Sequence, residues 1–176
     1  MTDAELARAI CGHAYLEGDF VLRSGRRSRY YLDKYRFETQ PDVLRELGER
    51  IASRVREGDS PVDRLAGPEL GAVALAAAAS LASGLPFVIV RKEAKDYGTA
   101  QRLEGVYEQG ESVCLVEDVV TTGGASLAAV AALRGAGLRC ERAICVVDRE
   151  EGGSAALADG GVALVSLFRA RDFGAG

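Results

Sequence analysis

At 176 residues the chain is long enough for one domain with a sizeable core, and its 48% apolar and 27% charged content is that of a soluble globular protein. A net charge of −4 points away from nucleic acid and anionic membrane surfaces as partners. It leaves an anionic small ligand open, because cations in contact with a ligand escape the screening that weakens distant charges.

Asp3 can cap a first helix from about Ala4 to Tyr15. Phe20 to Gly25 and Ser28 to Asp33 then read as a short β-pair around a glycine turn. Pro41 opens a second helix whose apolar stripe is Leu44, Leu47, Ile51 and Val55. After Gly58 to Pro61 the pattern alternates as parallel βαβ units do. Arg64 to Ala66 is a strand, Gly71 to Ser83 an Ala-rich helix, and Leu85 to Val90 a strand followed by a polar segment, Lys92 to Gly105. Ser112 to Val116 is the next strand, Ser126 to Arg134 a helix with stops at Gly135 and Gly137, and Ala143 to Val147 and Val162 to Phe168 are the last strands. Gly152-Gly153 and Gly160-Gly161 read as turns. The expected fold is α/β: a doubly wound, mainly parallel sheet flanked by helices, formed by about residues 41–165. About residues 1–40 and the C-terminal end are left to form a small hood, the whole being a single domain, 1–176.

Cys11, Cys114, Cys140 and Cys145 lack the close paired spacing of a zinc site, and two of them fall in apolar strand patterns, so they read as core thiols of a reducing compartment. The acidic, amphipathic N-terminus is unlike a signal peptide, and Ser83 to Pro86 stops the apolar run from Gly71 well short of a membrane span. The expected location is the cytoplasm.

Residues 113–126, Val-Cys-Leu-Val-Glu-Asp-Val-Val-Thr-Thr-Gly-Gly-Ala-Ser, carry the most chemistry. An apolar run that reads as a strand buried on both faces leads to Glu117 and Asp118. Then Thr121, Thr122, Gly123, Gly124, Ala125 and Ser126 form a small, hydroxyl-rich turn ahead of a helix. Glycines let backbone N–H groups approach a phosphate, and a helix N-terminus adds the positive end of its dipole. Carboxylates do not favour phosphate, so Glu117 and Asp118 need sugar hydroxyls or Mg²⁺. An anion cradle beside two acids suggests a phosphorylated sugar. No G-x-G-x-x-G follows the first core strand, which argues against a nicotinamide-binding Rossmann domain.

The stretch resembles the phosphoribosyl-diphosphate (PRPP) signature of type I phosphoribosyltransferases: four apolar residues, two acids, then Val-Val-Thr-Thr-Gly-Gly. Residues 91–98, Arg-Lys-Glu-Ala-Lys-Asp-Tyr-Gly, bring Arg91, Lys92 and Lys95 to the carboxyl edge of a strand. They resemble the mobile catalytic loop of orotate phosphoribosyltransferases, Arg-Lys-x-x-Lys-Asp-x-Gly, except that Tyr97 stands where many members have histidine. Leu22 to Tyr31 resembles the family's hood, with Arg23 in place of a common lysine, and Gly67 to Gly71 resembles its diphosphate-contacting turn. Arg149 matches its orotate-contacting arginine.

The resemblance runs from about Gly18 to Phe168 and implies a type I phosphoribosyltransferase fold. It implies transfer of the 5-phosphoribosyl group from PRPP to orotate with Mg²⁺, in a homodimer whose catalytic loop is shared between subunits. It further implies that Lys95, Asp118 and Arg91 are catalytic, and that PRPP is bound by Arg91, Lys92, Lys95, Tyr97, Glu117, Asp118, Val119, Val120, Thr121, Thr122, Gly123, Gly124 and Ala125. Thr121, Arg149 and Arg23 would meet orotate, and no resident protein metal site is implied. The alternatives are a phosphoribosyltransferase for another base and a PRPP-binding regulator without catalysis. The loop cations speak against the second, since a sensor has no need to stabilise a leaving group. Lone His13 lies away from every motif, and the chemistry does not require a histidine base.

Overall fold

A computed structural model describes residues 1–21, 25, 27–58, 60–93 and 102–173. Its first helix, α1 (Asp3–Ala14), begins one residue before the expected start because Thr2 is the cap. Thr2 Oγ1 accepts the Glu5 N–H (3.3 Å) while Glu5 Oε2 accepts the Thr2 N–H (2.8 Å), a capping box that satisfies two orphan donors at once. Leu6 and Ile10 then face the core. Strand β1 (Tyr15–Val21) follows without a loop and pairs antiparallel with β2 (Arg27–Leu32). The β-pair is therefore real but starts at Tyr15, well before Phe20.

Between this ribbon and the second predicted helix lies an element the sequence did not announce, α2 (Lys34–Glu38). The Asp33 carboxylate caps it by accepting the Tyr35 N–H at 3.1 Å. The core then runs α3 (Pro41–Arg56), β3 (Arg64–Pro68), α4 (Gly71–Ser83), β4 (Phe87–Val90), β5 (Leu103–Glu104) and β6 (Ser112–Val120). It continues with α5 (Gly124–Gly135), β7 (Arg139–Asp148), α6 (Gly153–Asp159) and β8 (Ala163–Arg169), and a 3-10 turn spans Ala170–Phe173. The stop after α5 is the expected one: Leu138 N–H reaches Leu133 O (3.1 Å) and Gly137 N–H reaches Arg134 O (3.0 Å), satisfying the last carbonyls.

The main sheet has the order β5-β4-β3-β6-β7-β8, parallel throughout except for the short edge strand β5. Alternate residues of β6 enter two separate cores. Cys114 and Val116 join Leu47, Ile51 and Leu75 of α3 and α4, whereas Val113 and Leu115 join Val130, Leu133 and Leu157 of α5 and α6. A central strand covered on both faces has no polar alternation, which explains its continuous apolar run. Phe173 packs on the first core with its ring centroid 5.6 Å from that of Phe168, and α1 touches the same 3-10 turn, so the first helix and the last described turn meet.

Cys114, Cys140 and Cys145 are buried and unpaired, and burial pushes the thiols of Cys114 and Cys140 up to about 12 and about 11. Among the described residues no helix is long and apolar enough to cross a membrane.

Candidate active site

From β3 the chain passes through α4 to β4 on one side, and β6 later takes its place on the other side of β3. Such a reversal splays the loops apart at the carboxyl edge, and in open parallel sheets ligands bind there. The crevice at this point is lined by Lys34, Pro68, Glu69, Gly71, Ala72, and residues 117–121, 123, 125 and 126.

Strand β6 continues through Val120, so Glu117 and Asp118 lie inside its carboxyl-terminal stretch rather than after it. Being neighbours on a strand, they leave it on opposite faces. Glu117 turns toward α5, where its Oε1 accepts the Ser126 hydroxyl at 2.8 Å. Burial pushes its carboxyl up to about 7 against that bond. Asp118 turns toward α4 and the N-terminal segment. Its Oδ1 accepts the N–H of Val119 and its Oδ2 pairs with Lys34 Nζ, both at 2.5 Å. Gly71 makes this approach possible, because a Cβ there would overlap Asp118 Oδ2 and lie 3.0 Å from Lys34 Nζ.

The turn after β6 has Gly123 at φ +83°, a left-handed conformation that favours glycine, and α5 begins behind it without a side-chain cap. The first N–H groups of α5 are thus left for a ligand. A second glycine supports the turn from below. A Cβ on Gly153 would lie 2.5 Å from Thr121 O and 3.2 Å from Gly123 N, so the start of α6 is pressed against the cradle. The sequence pattern suggests only a turn at Gly153; its packing role has no local signal.

Arg91 and Lys92 leave the end of β4 and are tied back to the β3 turn. Lys92 N–H donates to Glu69 Oε1 (2.6 Å), and Arg91 Nε lies 3.8 Å from Glu69 Oε2. The returning leg holds the same spot, with Arg91 N–H on Arg102 O (2.7 Å) and Arg102 Nη2 on Lys92 O (3.1 Å). Strand β5 makes this return, whereas the sequence suggested one uninterrupted polar segment from Lys92 to Gly105. Lys95, Tyr97 and Arg23 lie outside the described residues. Arg149 sits at the end of β7 with its N–H on Val120 O (2.9 Å), while its Nη2 pairs with Glu151 Oε1 at 3.0 Å.

The structure thus gathers Glu117, Asp118, Val119, Val120, Thr121, Gly123 and Ala125 in one crevice, with Thr122 and Gly124 in the same turn. Arg91, Lys92 and Arg149 stand at its margins rather than among its lining residues.

Sequence reading missed Lys34 and Glu38, and took Glu69 only as part of the Gly67–Gly71 turn. Glu38 is buried, and among the described residues its Oε1 has no hydrogen-bond partner. Burial first, then the nearby charge of Asp118, pushes its carboxyl up to about 8. Below the ordinary value of 4.5 both the folded and the unfolded chain keep this proton. Between there and about 8 only the folded chain keeps it, so stability falls as pH rises across that window. Each tenfold difference in proton affinity between the two states is worth about 1.4 kcal/mol, so the total reaches several kcal/mol. Urea unfolding of Glu38→Gln at pH 5 and pH 8.5 is expected to show a smaller loss of stability than the parent chain; an equal loss would remove Glu38 from that role.

The crevice residues from Pro68 to Ser126 fall within the part of the chain that a known family matches. The model of the phosphoribosyl transferase domain matches residues 35–159. The orotate phosphoribosyltransferase of Methanocella arvoryzae is 52% identical over 155 residues, 88% of this chain and 87% of the relative. That of Halobacterium salinarum is 49% identical over 171 residues, 97% of this chain and 95% of the relative. A crystal structure of the Mycobacterium tuberculosis orotate phosphoribosyltransferase in complex with PRPP superposes with a TM-score of 0.83 at 29% identity, covering 98% of each chain. The chain belongs to the phosphoribosyltransferase family, and within it to the orotate phosphoribosyltransferases.

Proposed function

We propose that the crevice transfers the 5-phosphoribosyl group of PRPP to orotate, giving orotidine 5′-monophosphate and diphosphate in pyrimidine biosynthesis. The observation that carries this reading is the uncapped N-terminus of α5 behind the Thr121–Ser126 turn, placed beside two buried acids at the switch point of the sheet. The turn offers backbone N–H groups to the 5′-phosphate, and Asp118 and Glu117 accept the ribose hydroxyls. The Gly67–Gly71 turn takes the diphosphate, and Thr121 and Arg149 meet orotate, Arg149 after release from Glu151. Arg23 closes over the base from the hood.

The ring nitrogen of orotate forms its bond to the anomeric carbon as the bond to the diphosphate oxygen breaks. The demands on the protein are positioning and stabilisation of charge on the leaving group. Arg91 and Lys92 stand at the root of the loop that carries Lys95 and Tyr97, and Lys95 supplies the charge that strengthens as diphosphate departs. The loop serves the neighbouring subunit of a homodimer. Mg²⁺ fits this donor set, because it is commonly held by one or two carboxylates together with substrate phosphates, and Glu117 and Asp118 both line the crevice. Asp118 and Glu117 would hold it, and when bound it neutralises diphosphate charge. The buried, unpaired thiols suit a reducing cytoplasm.

Diphosphate release from PRPP, measured with orotate, uracil, adenine, guanine and hypoxanthine in turn, tests the assignment. Release with orotate alone is expected. Release with a purine but not orotate would transfer the chain to another base, and PRPP binding without release on any base would make it a regulator.

A further inference from the structure

A crevice that takes a polyanion has an unfavourable charge balance here. Among the described residues that line it, three are acidic (Glu69, Glu117 and Asp118) and one, Lys34, is cationic. Lys34 comes from α2, an element to which none of the motifs assigns a role. Its side chain is 36% exposed and lines the crevice, while Nζ holds Asp118 Oδ2. Nζ faces the Asp118 carboxylate, an opposite charge that favours the ammonium form.

The ammonium also lies beside the turn assigned to diphosphate, 3.0 Å from where Gly71 would carry a Cβ. The turn itself contributes Pro68 and Glu69 but no cation. An ammonium has three donors, and one is committed to Asp118.

Resting on the reading of the crevice as a PRPP site, we propose that Lys34 is a diphosphate-binding residue that bridges Asp118 to the leaving group. A compact ammonium suits this place, since it can donate to a carboxylate and a phosphate oxygen at wide angles where a planar guanidinium could not. Glu38, one turn further along α2, would oppose Lys34 if ionised. Its buried carboxyl keeps its proton around neutrality, so the charge of Lys34 is not cancelled from its own helix. The alternative is that Lys34 only neutralises Asp118 and never touches substrate.

Calorimetric titration of the full chain with Mg²⁺-diphosphate and, separately, with ribose 5-phosphate distinguishes the two. A hydrogen bond to a charged group supports a loss of roughly 10- to 100-fold in diphosphate affinity for Lys34→Met. Ribose 5-phosphate, seated in the cradle after β6, should bind as in the parent chain, and Lys34→Arg should recover part of the diphosphate affinity. The double variant Lys34→Met/Asp118→Asn leaves no unpaired carboxylate behind, which guards against misfolding. In that background the Lys34 substitution should weaken diphosphate by the same factor as in the parent.

Unchanged diphosphate affinity, equal losses for both ligands, or a loss that vanishes in the Asp118→Asn background would each overturn the proposal. Loss of the transfer activity and loss of the Lys34 contact give different results. A parent chain that binds Mg²⁺-diphosphate yet consumes no orotate fails that reading alone, whereas one that consumes orotate while Lys34→Met binds diphosphate normally fails the Lys34 proposal alone.

Discussion

Lys95→Ala is expected to lower turnover by roughly 10²- to 10³-fold, the usual loss when one donor to a developing charge is removed. The reason lies in charge placement. Diphosphate gains negative charge as the glycosidic bond breaks, and in the proposed site a loop cation meets it then rather than in the ground state. The loop is rooted by Glu69, Arg102 and the short strand β5, so its residues start from the diphosphate side of the crevice. Stability should be nearly unchanged, because Lys95 belongs to a polar segment of the sequence. Turnover close to that of the parent at saturating PRPP would remove Lys95 from catalysis.

The same variant tests the shared loop. If the loop serves the neighbouring site, Lys95 and Asp118 of one chain belong to different active sites. Exchanging subunits between inactive Lys95→Ala and inactive Asp118→Asn then gives mixed dimers in which one site carries both lesions and the other is whole. With random exchange and closed two-fold symmetry, about a quarter of the parent activity should return. Verified exchange without any recovery would place the loop in its own subunit's site.

The second large effect is expected from the smallest change, Gly71→Ala. The added methyl would occupy the position of Asp118 Oδ2 and crowd Lys34 Nζ, so the carboxylate must turn away and the ion pair must open. Asp118 has little room to turn, being buried beneath α4. Loss of one charge-assisted contact to the substrate predicts PRPP binding weaker by roughly 10- to 100-fold. Overpacking should add a destabilisation of about 1–3 kcal/mol in urea unfolding. PRPP affinity equal to the parent's in calorimetry would show that the Asp118 position is not needed for binding.

What the sequence made legible, and what it did not, divides along physical lines. The helices α3, α4 and α5 were readable because an apolar stripe, an Ala-rich run and glycine or proline boundaries are local signals. Strand β6 and its cradle were readable because hydroxyls, glycines and acids stand consecutively. Elements without periodicity escaped. Helix α2 is too short to show a stripe and depends on the Asp33 cap, β5 is a two-residue edge that exists only through pairing with β4, and α6 hid between glycines that looked like turns. For the same reason Lys34 and Glu38 were invisible as site residues. Their roles come from sheet order, which brings α2 and the β3 turn against the acids of β6, and no spacing along the chain encodes that meeting. The division of Glu117 and Asp118 between two faces follows from strand alternation only because β6 runs on to Val120, beyond the expected end at Val116.

The central claim is that the crevice between β3 and β6 holds PRPP with its 5′-phosphate on the Thr121–Ser126 turn, its ribose on Asp118 and Glu117, and its diphosphate on the Gly67–Gly71 turn. Electron density for a crystal of the full chain grown with PRPP and Mg²⁺ tests it most directly. The expected density places the 5′-phosphate within hydrogen-bond reach of the first N–H groups of α5 and a ribose hydroxyl on Asp118. A 5′-phosphate bound away from that turn, or a ribose that contacts neither acid, would contradict it.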